Sequence, residues 1–332
     1  MLYQTTRNKI DSVTARRTLL DERTSDGGFY VPLKLPQFSA AELDGLCEQP
    51  TCQIVARIVN LFFDSKLSAW DVECAIGKMP FNIAELNQKI LFVQLWNNSA
   101  GSFDGICTRI ANLICAEQSA PTNWMKIVLR IAFLFAIYGS ICNGGIKQFD
   151  VSVEAGDFSA PMAVWYARRM GLPVKRIICA ELEQSAAWDL LHHGQMSISG
   201  SDTNGSIAEA ERLIYSVLGL EGAKLFADAI QGCGVFRVAQ SHLEELSKGF
   251  FVSVVGNERI NSLIGNVYKT YAYILDPVTA LSYAGVQDYR TKSGEIFPTI
   301  ILSADSPVDH TQRIVQAAAI HQADILKFIK KQ

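Results

Sequence analysis

Residues 149–180 read FDVSVEAGDFSAPMAVWYARRMGLPVKRIICA, and this stretch decides the fold class. Residues 149–153 have the pattern of a strand, residues 162–170 that of a helix ended by Gly-Leu-Pro, and residues 174–180 that of a second strand. A strand, a crossover helix and a second strand form a βαβ unit with parallel strands. The sequence therefore predicts an α/β fold whose ligands bind at the carboxyl ends of the strands.

The composition is that of a globular protein with a large core. The 332 residues are 49% hydrophobic and 19% charged, with a mean hydropathy of +0.14. The net charge of −3 gives no electrostatic reason to expect nucleic acid or an anionic membrane as a partner. We therefore expect a small-molecule ligand.

Hydrophobic periodicity predicts further helices on either side of the βαβ unit. The most apolar run, residues 127–138, is interrupted by Arg130 and falls short of the roughly 20 residues that span a membrane, so it predicts a buried helix. The first twenty residues lack a secretory pattern, which favours the cytoplasm. The sequence pattern also predicts a strand at 298–303 and helices at 206–218, 221–231, 239–248, 258–272 and 309–330.

The eight cysteines form no CxxC pair and have no His-x-x-x-His partner. This pattern argues against a zinc site and against a disulfide scaffold. We expect buried free thiols and no metal.

Ordered motifs along the chain carry a resemblance to a known family. They are YQTTR at residues 3–7, DGGFYVP at 26–32, VSVEAGDF at 151–158, ARRMGLPVKR at 167–176 and LDPVTA at 275–280. In this order they resemble the threonine synthases, which are pyridoxal phosphate enzymes related to tryptophan synthase β.

The resemblance implies a domain organisation. It predicts a mainly helical N-terminal extension over residues 1–88 and an α/β core over residues 89–332. The family's small domain has no counterpart here, because a short connection near residues 111–123 stands where the family has a segment of domain size. The expected fold is thus the family's large domain with the small domain deleted.

Two departures from the family concern the cofactor. Asp104 aligns with the lysine that forms a Schiff base with pyridoxal phosphate, and a carboxylate cannot form one. The family's glycine-rich phosphate loop here contains Asp157, Ser159 and Pro161, which add a negative charge, restrict the backbone and remove a donor. The alignment predicts that the chain binds no cofactor and does not make threonine.

Four acids replace neutral or basic residues of the family, namely Asp104, Asp157, Asp305 and Asp309. Clustered carboxylates repel one another unless a cation, a metal or a shared proton relieves them. A cationic ligand, a metal or acid/base chemistry would each explain the cluster. The alternative is an open surface on which acids cost little.

Two classes of function stay open. In the first, the chain is a repurposed enzyme for an amino-acid-like or cationic substrate, with Asp104 and Asp157 as catalytic acids. The predicted substrate-binding residues of that enzyme are Asn97, Asn98, Ser102, Gly156, Phe158, Ser159, Ser303, Asp305 and Asp309. In the second, it is a non-catalytic descendant that binds, regulates or forms complexes. The face left by the missing domain predicts a homodimer or a protein partner.

Overall fold

The protein is described by a computed structural model over residues 1–8, 12–86, 89–115, 120–182, 185–198 and 204–329. Its strands are β1 (Leu2–Thr5), β2 (Val13–Thr14), β3 (Tyr30–Pro32), β4 (Asn82–Glu85), β5 (Ile90–Gln94), β6 (Phe149–Glu154), β7 (Val174–Glu181), β8 (Gln195–Ser197), β9 (Val235–Arg237), β10 (Phe250–Val254) and β11 (Thr299–Ser303). Its helices are α1 (Ala15–Leu20), α2 (Ala40–Asp44), α3 (Thr51–Phe63), α4 (Ala69–Ile76), α5 (Phe103–Ile114), α6 (Asn123–Ile141), α7 (Ser159–Arg169), α8 (Ala186–His193), α9 (Asn204–Cys233), α10 (Gln240–Leu246), α11 (Asn257–Tyr271), α12 (Pro277–Ser293), α13 (Thr311–Ala318) and α14 (Gln322–Ile329).

A six-stranded sheet in the order β10-β7-β6-β11-β5-β4 forms the centre of the fold. Its first five strands are parallel, and β4 pairs antiparallel with β5 at one edge. The unit β6-α7-β7 is the predicted βαβ unit, with Val153 opposite Cys179 in the register. The predicted α/β fold class is confirmed.

Helices cover both faces of this sheet, because its strands are apolar on both sides. One face packs against α7, which contacts α6, and α6 in turn contacts α3; the other face packs against α12, which contacts α11. The most apolar helix, α6, is long and apolar enough to cross a membrane, but 78% of its apolar window is buried inside the protein. The predicted buried helix is confirmed, and it packs as the core helix of a soluble protein does.

The N-terminal segment packs on the same core. It contains a small antiparallel sheet, β2-β1-β3, and it is joined to α9 by an ion pair of 2.9 Å between Arg7 Nη2 and Glu211 Oε2. Capping boxes at Ser39 and Ser68, each with an acidic residue three positions later, begin α2 and α4. Because β4 lies before residue 88 and belongs to the central sheet, the sheet crosses the predicted domain boundary. That boundary stays a prediction.

The helical segments agree with the pattern in one place and differ in another. The predicted helices at 206–218 and 221–231 both lie in α9 and are separated by a kink at Gly219, whose backbone is non-helical, as predicted. The predicted helix at 309–330 is divided into α13 and α14 at Ala319, whose φ of 54° lies in the left-handed region. Periodicity continues across such a break, so it could not be detected from the spacing of apolar residues.

The expectation of free thiols is wrong for two of the eight cysteines. Cys47 and Cys142 are joined by a disulfide with an S–S distance of 2.06 Å across a sequence separation of 95 residues. They come together because the 3₁₀ turn at Gly45–Glu48 packs against α6, whose carboxyl end carries Cys142. Of the six free cysteines, Cys74 and Cys233 are exposed and four are buried.

Candidate functional site

Polar side chains lie where the parallel strands of the central sheet end. Glu154, Glu181 and Ser303 are the last residues of β6, β7 and β11. The carboxyl ends of parallel strands meet at one edge of a sheet, which is where ligands of open α/β folds bind. A ligand of this protein is therefore expected at this edge.

Glu154 is the most perturbed carboxyl group of this edge. Burial, followed by the negative charge of Asp157, raises its pKa to about 7, while Arg130 opposes the rise. The charges of Glu181 and Asp305 act in the same direction as Asp157. A group with a pKa near neutrality can exchange a proton at physiological pH. The motif comparison missed Glu154, although its position at the end of a predicted parallel strand could have identified it.

The loop after β6 is held by its own side chains. One carboxylate oxygen of Asp157 accepts hydrogen bonds from the backbone N–H of Ser159 at 3.0 Å and from its hydroxyl at 2.5 Å. Arg130 Nη1 donates to the same hydroxyl at 3.0 Å. Gly156 has a φ of 38°, and a β-carbon there would collide with the carboxylate of Glu154. Phe158 is fully buried and belongs to the core.

Asp157 also lines a cavity of about 570 Å³ between this loop and the N-terminal segment. The other lining residues are Glu22, Arg23, Phe29, Asn123, Gly205 and Ala208. Behind the cavity, the Nδ2 of Asn123 donates to Glu209 at 2.8 Å. Burial raises the pKa of Glu209 to about 7, with Arg212 opposing and Asp157 adding to the rise. Of the two predicted catalytic acids, Asp157 is the one that faces this cavity.

Asp104 has a different environment. It lies in the first turn of α5 with its side chain 72% exposed, and its carboxylate forms an ion pair of 3.0 Å with the Nζ of Lys126. Lys126 and Arg130 are one turn apart on α6, so both face the region between α5 and the loop after β6. Asp104 does not line the cavity at Asp157, so that cavity does not bring the two predicted catalytic acids together, and their catalytic roles stay predictions.

The polar residues before α5 shape their own loop. Asn97 donates to Gln94 Oε1 at 3.2 Å, and the Nδ2 of Asn98 donates to the carbonyl of Pro80 at 3.1 Å. Ser102 caps α5 by accepting a hydrogen bond of 3.0 Å from the backbone N–H of Gly105. Their side chains stabilise the turn that begins α5, and their predicted role in binding substrate stays a prediction.

The residues after β11 fall into two groups. The buried hydroxyl of Ser303 donates to Asp276 Oδ2 at 3.1 Å in a network that begins α12. A carboxylate oxygen of Asp305 lies 3.2 Å from Nε2 of His310, within hydrogen-bonding distance, and Asp309 is exposed in the 3₁₀ turn Pro307–His310. Ser303 thus holds the start of α12, whereas the negative charge of Asp305 contributes to the raised pKa of Glu154.

The described residues contain no group of three or more His, Cys, Asp or Glu side chains arranged to hold a metal ion. The acids of this edge influence one another through their charges but do not converge as a ligand set would. The absence of a metal stays a prediction from the sequence.

Comparison with known proteins gives consistent matches. A family model described as the threonine synthase N terminus matches residues 2–79. The threonine synthase of Pseudomonas aeruginosa is 27% identical over 218 residues, which are 61% of this chain and 45% of that protein. Threonine synthase-like 1 of Homo sapiens is 23% identical over 245 residues, which are 69% of this chain and 32% of that protein. The chain spans about a third of the length of the first curated relatives it matches.

Solved structures share the fold. Threonine synthase from yeast superposes with a TM-score of 0.84 at 16% identity, over 96% of this chain and 90% of that chain. A threonine synthase from Brucella melitensis with bound PLP superposes with a TM-score of 0.81 at 15% identity, over 98% and 94% of the two chains. These similarities show a common fold.

The prediction that the chain binds no cofactor is wrong. A structural relative was solved with PLP bound, so PLP is the cofactor to expect for this fold. The residues of this chain fit PLP in part. Lys126 places a primary amine beside Asp104, but the N–H of Ser159 at the start of α7 is already bonded to the carboxylate of Asp157. At this N–H the carboxylate of Asp157 takes the place that the phosphate of a cofactor would need, so a bound phosphate would have to displace it.

Proposed function

We propose that this chain, whose residues 2–79 match the threonine synthase N terminus and whose fold is that of threonine synthases, is a threonine synthase-like protein that binds an amino-acid-like small molecule beside Asp157. The single observation that carries the proposal is the exposure of the Asp157 carboxylate to a cavity of about 570 Å³. Small-molecule sites are usually concave and of about 300–1,000 Å³. The cavity therefore has the size for a metabolite.

The charges along this cavity are complementary to a zwitterion. Asp157 and Glu22 offer carboxylates to an ammonium group, and Arg23 offers a guanidinium to a carboxylate or a phosphate. The ring of Phe29, over which the Arg23 guanidinium lies at 4.8 Å, gives the cavity an apolar wall. An amino acid or a phosphorylated amino acid carries the matching groups.

Glu154 does not line this cavity, but its carboxylate lies against Gly156 in the loop that carries Asp157, and we propose it as the group that exchanges a proton beside the bound ligand. Its pKa of about 7 leaves it partly protonated at neutral pH, so it can accept a proton from a ligand or return one. Asp157 is the charged group that contributes most to this raised pKa, after burial. Binding at Asp157 by an ammonium group would neutralise that charge and make Glu154 a stronger acid.

The test is calorimetric titration with amino acids, amines, phosphorylated amino acids and PLP. We expect at least one amine-bearing compound to bind, and Asp157→Asn to weaken that binding about tenfold or more, because it removes one charge-assisted contact. The matched control is Asp64→Asn, which makes the same change at the exposed carboxyl end of α3. Binding that is equal in all three proteins, or absent from the wild type, would contradict the proposal.

A second measurement separates an enzyme from a binding protein. The best ligand is incubated at saturation and its consumption is followed by NMR. For an enzyme, Glu154→Gln keeps the ligand affinity within about threefold and lowers the rate by a factor on the order of 10²–10⁴, the usual contribution of an acid/base group. Binding without turnover in the wild type would support a non-catalytic protein.

The alternative function, a binding, regulatory or complex-forming subunit, is favoured by the exposure of Asp104. That side chain is on an open surface, as expected for a site that has lost its covering domain. Leu113 on the same helix is 46% exposed beside the connection to α6, of which residues 116–119 lie outside the described part. We propose this surface for a homodimer or a partner protein in the cytoplasm. Light scattering that gives a dimer for the wild type and a monomer for Leu113→Glu would support it, whereas a wild-type monomer would argue against a homodimer.

A further inference from the structure

A second cavity, of about 390 Å³, lies at the carboxyl end of α7. Three of its lining residues are cations (Arg168, Arg169 and Lys248), and one is an acid (Glu245). Three positive charges and one negative charge leave the lining with a net charge of +2. The cavity is therefore electrostatically suited to an anion.

Arg168 occupies an unfavourable position without a counterion. Its half-buried guanidinium lies against Gly249, where a β-carbon would collide with it. Burial, followed by the positive charge of Arg176, lowers the pKa of Arg168. Among the residues that the structure describes, no ion pair joins Arg168 or Lys248 to a carboxylate. A partly desolvated cation beside a like charge costs free energy that a bound anion would recover.

The wall of the cavity is rigid and aromatic. The guanidinium of Arg169 lies 4.8 Å from the ring centroid of Trp165 and donates to the carbonyl of Ser216 at 3.3 Å. Trp165 is 8% exposed and belongs to the core. A neighbouring cavity of about 250 Å³ shares Trp165, Arg169 and Ser216 and continues toward Gln4. The two together have room for a ligand larger than a free phosphate.

We propose that this cavity, lined by Trp165, Arg168, Arg169 and Lys248 and here named the basic cavity, binds the phosphate group of a small phosphorylated molecule. Arginine forks match the oxygens of a phosphate group, and lysine adds a point charge. The basic cavity is separate from the cavity at Asp157, because the 11 residues of α7 span about 16 Å between them. The bound anion would link α7 to the start of β10 through Arg168 and Lys248.

The competing explanation is that the cations stabilise the carboxyl end of α7. Cations in the last turn of a helix interact favourably with its dipole and need no ligand. In that case a phosphate would gain little from the cavity. Titration with inorganic phosphate, pyrophosphate and a nucleoside monophosphate at low ionic strength separates the two explanations.

We expect pyrophosphate or the nucleotide to bind to the wild type and to be weakened by salt. Arg168→Gln should reduce the affinity about tenfold or more, as expected when a charge-assisted contact is lost, and Lys248→Gln should reduce it severalfold. Lys66→Gln is the matched control for Lys248→Gln, because it removes one exposed positive charge at a residue that does not line this cavity. A nucleotide that binds tighter than pyrophosphate would show that the organic group of the ligand adds contacts in the two cavities, and the reverse order would show that the phosphate groups supply the affinity.

Three results would overturn the proposal. The first is no binding by the wild type at millimolar concentrations. The second is binding by Arg168→Gln and Lys248→Gln that is as tight as binding by the wild type. The third is loss of binding in Lys126→Gln, which would place the anion beside α5 instead. Lys248 is exposed, so its variant is expected to fold even where Arg168→Gln does not. The test therefore gives an answer in either case.

Discussion

The Nζ of Lys126 lies 3.0 Å from a carboxylate oxygen of Asp104. In the alignment with the threonine synthases, Asp104 takes the position of the lysine that holds PLP. The structure therefore places an amine next to that position after all, from α6 instead of α5. The two side chains form a charge-balanced pair.

Replacement of Asp104 by Asn is expected to have a small effect on stability. The two side chains are 31% and 72% exposed, and exposed ion pairs contribute roughly 0–1 kcal/mol. Urea unfolding of Asp104→Asn should give a free energy of unfolding within about 1 kcal/mol of the wild type. A loss above about 2 kcal/mol would mean that the pair is more enclosed than the structure shows.

Replacement of Asp157 separates helix capping from charge. Asn can accept the hydrogen bond from the N–H of Ser159 that Asp157 accepts, whereas Ala cannot. Asp157→Ala should lower the free energy of unfolding by roughly 0.5–2 kcal/mol, and Asp157→Asn by less than about 0.5 kcal/mol. Chemical denaturation of the three proteins measures both values. Equal losses in the two variants would show that the charge matters more than the cap.

Glu154 should make stability depend on pH. Its pKa in the folded protein is about 7 against the usual 4.5, so the ionised form is penalised by folding. The favourable contribution of protonated Glu154 is complete below pH 4.5 and is lost as the pH rises through 7. One pKa unit corresponds to about 1.4 kcal/mol, so the effect reaches about 3 kcal/mol.

The measurement is urea unfolding of the wild type and Glu154→Gln at pH 5 and pH 8. Relative to the wild type, the variant should gain up to about 3 kcal/mol between these pH values, because Gln cannot ionise. The exposed Glu244 supplies the control, since Glu244→Gln should change stability equally at both pH values. A difference between wild type and Glu154→Gln that does not change with pH would place the pKa of Glu154 near its usual value.

Counting thiols tests the disulfide. In the folded protein, iodoacetamide should modify Cys74 and Cys233, the two exposed free cysteines. Unfolding without reductant should raise the count to six, and reduction should raise it to eight. Mass spectrometry of protein trapped with iodoacetamide in intact cells also tests the location, since disulfides are rare in the cytosol. Eight reactive thiols without reductant would rule out the bond.

Loss of the disulfide should also lower stability. The bond closes a segment of 95 residues, and a native disulfide typically contributes about 2–4 kcal/mol by restricting the unfolded chain. The double variant Cys47→Ser and Cys142→Ser should lose that amount in urea unfolding. The variant Cys233→Ser, which alters an exposed free thiol, is the control.

Local sequence determined the fold class and the ends of several elements. The alternation of apolar residues, the breakers after residue 170 and the capping boxes at Ser39 and Ser68 depend on neighbours in the chain, so they could be recognised without a structure. Ordered motifs added the family, because they extend over most of the chain.

Only the tertiary structure decided which groups meet. It joined Cys47 to Cys142, gave Asp104 a partner in Lys126, and turned Asp157 toward a cavity shared with the N-terminal segment. It also identified Glu154, whose pKa depends on burial and on charges from three other elements. Distances between residues far apart in the chain, and the loss of solvent around a charge, arise only when the elements pack, which is why no spacing in the sequence could predict them.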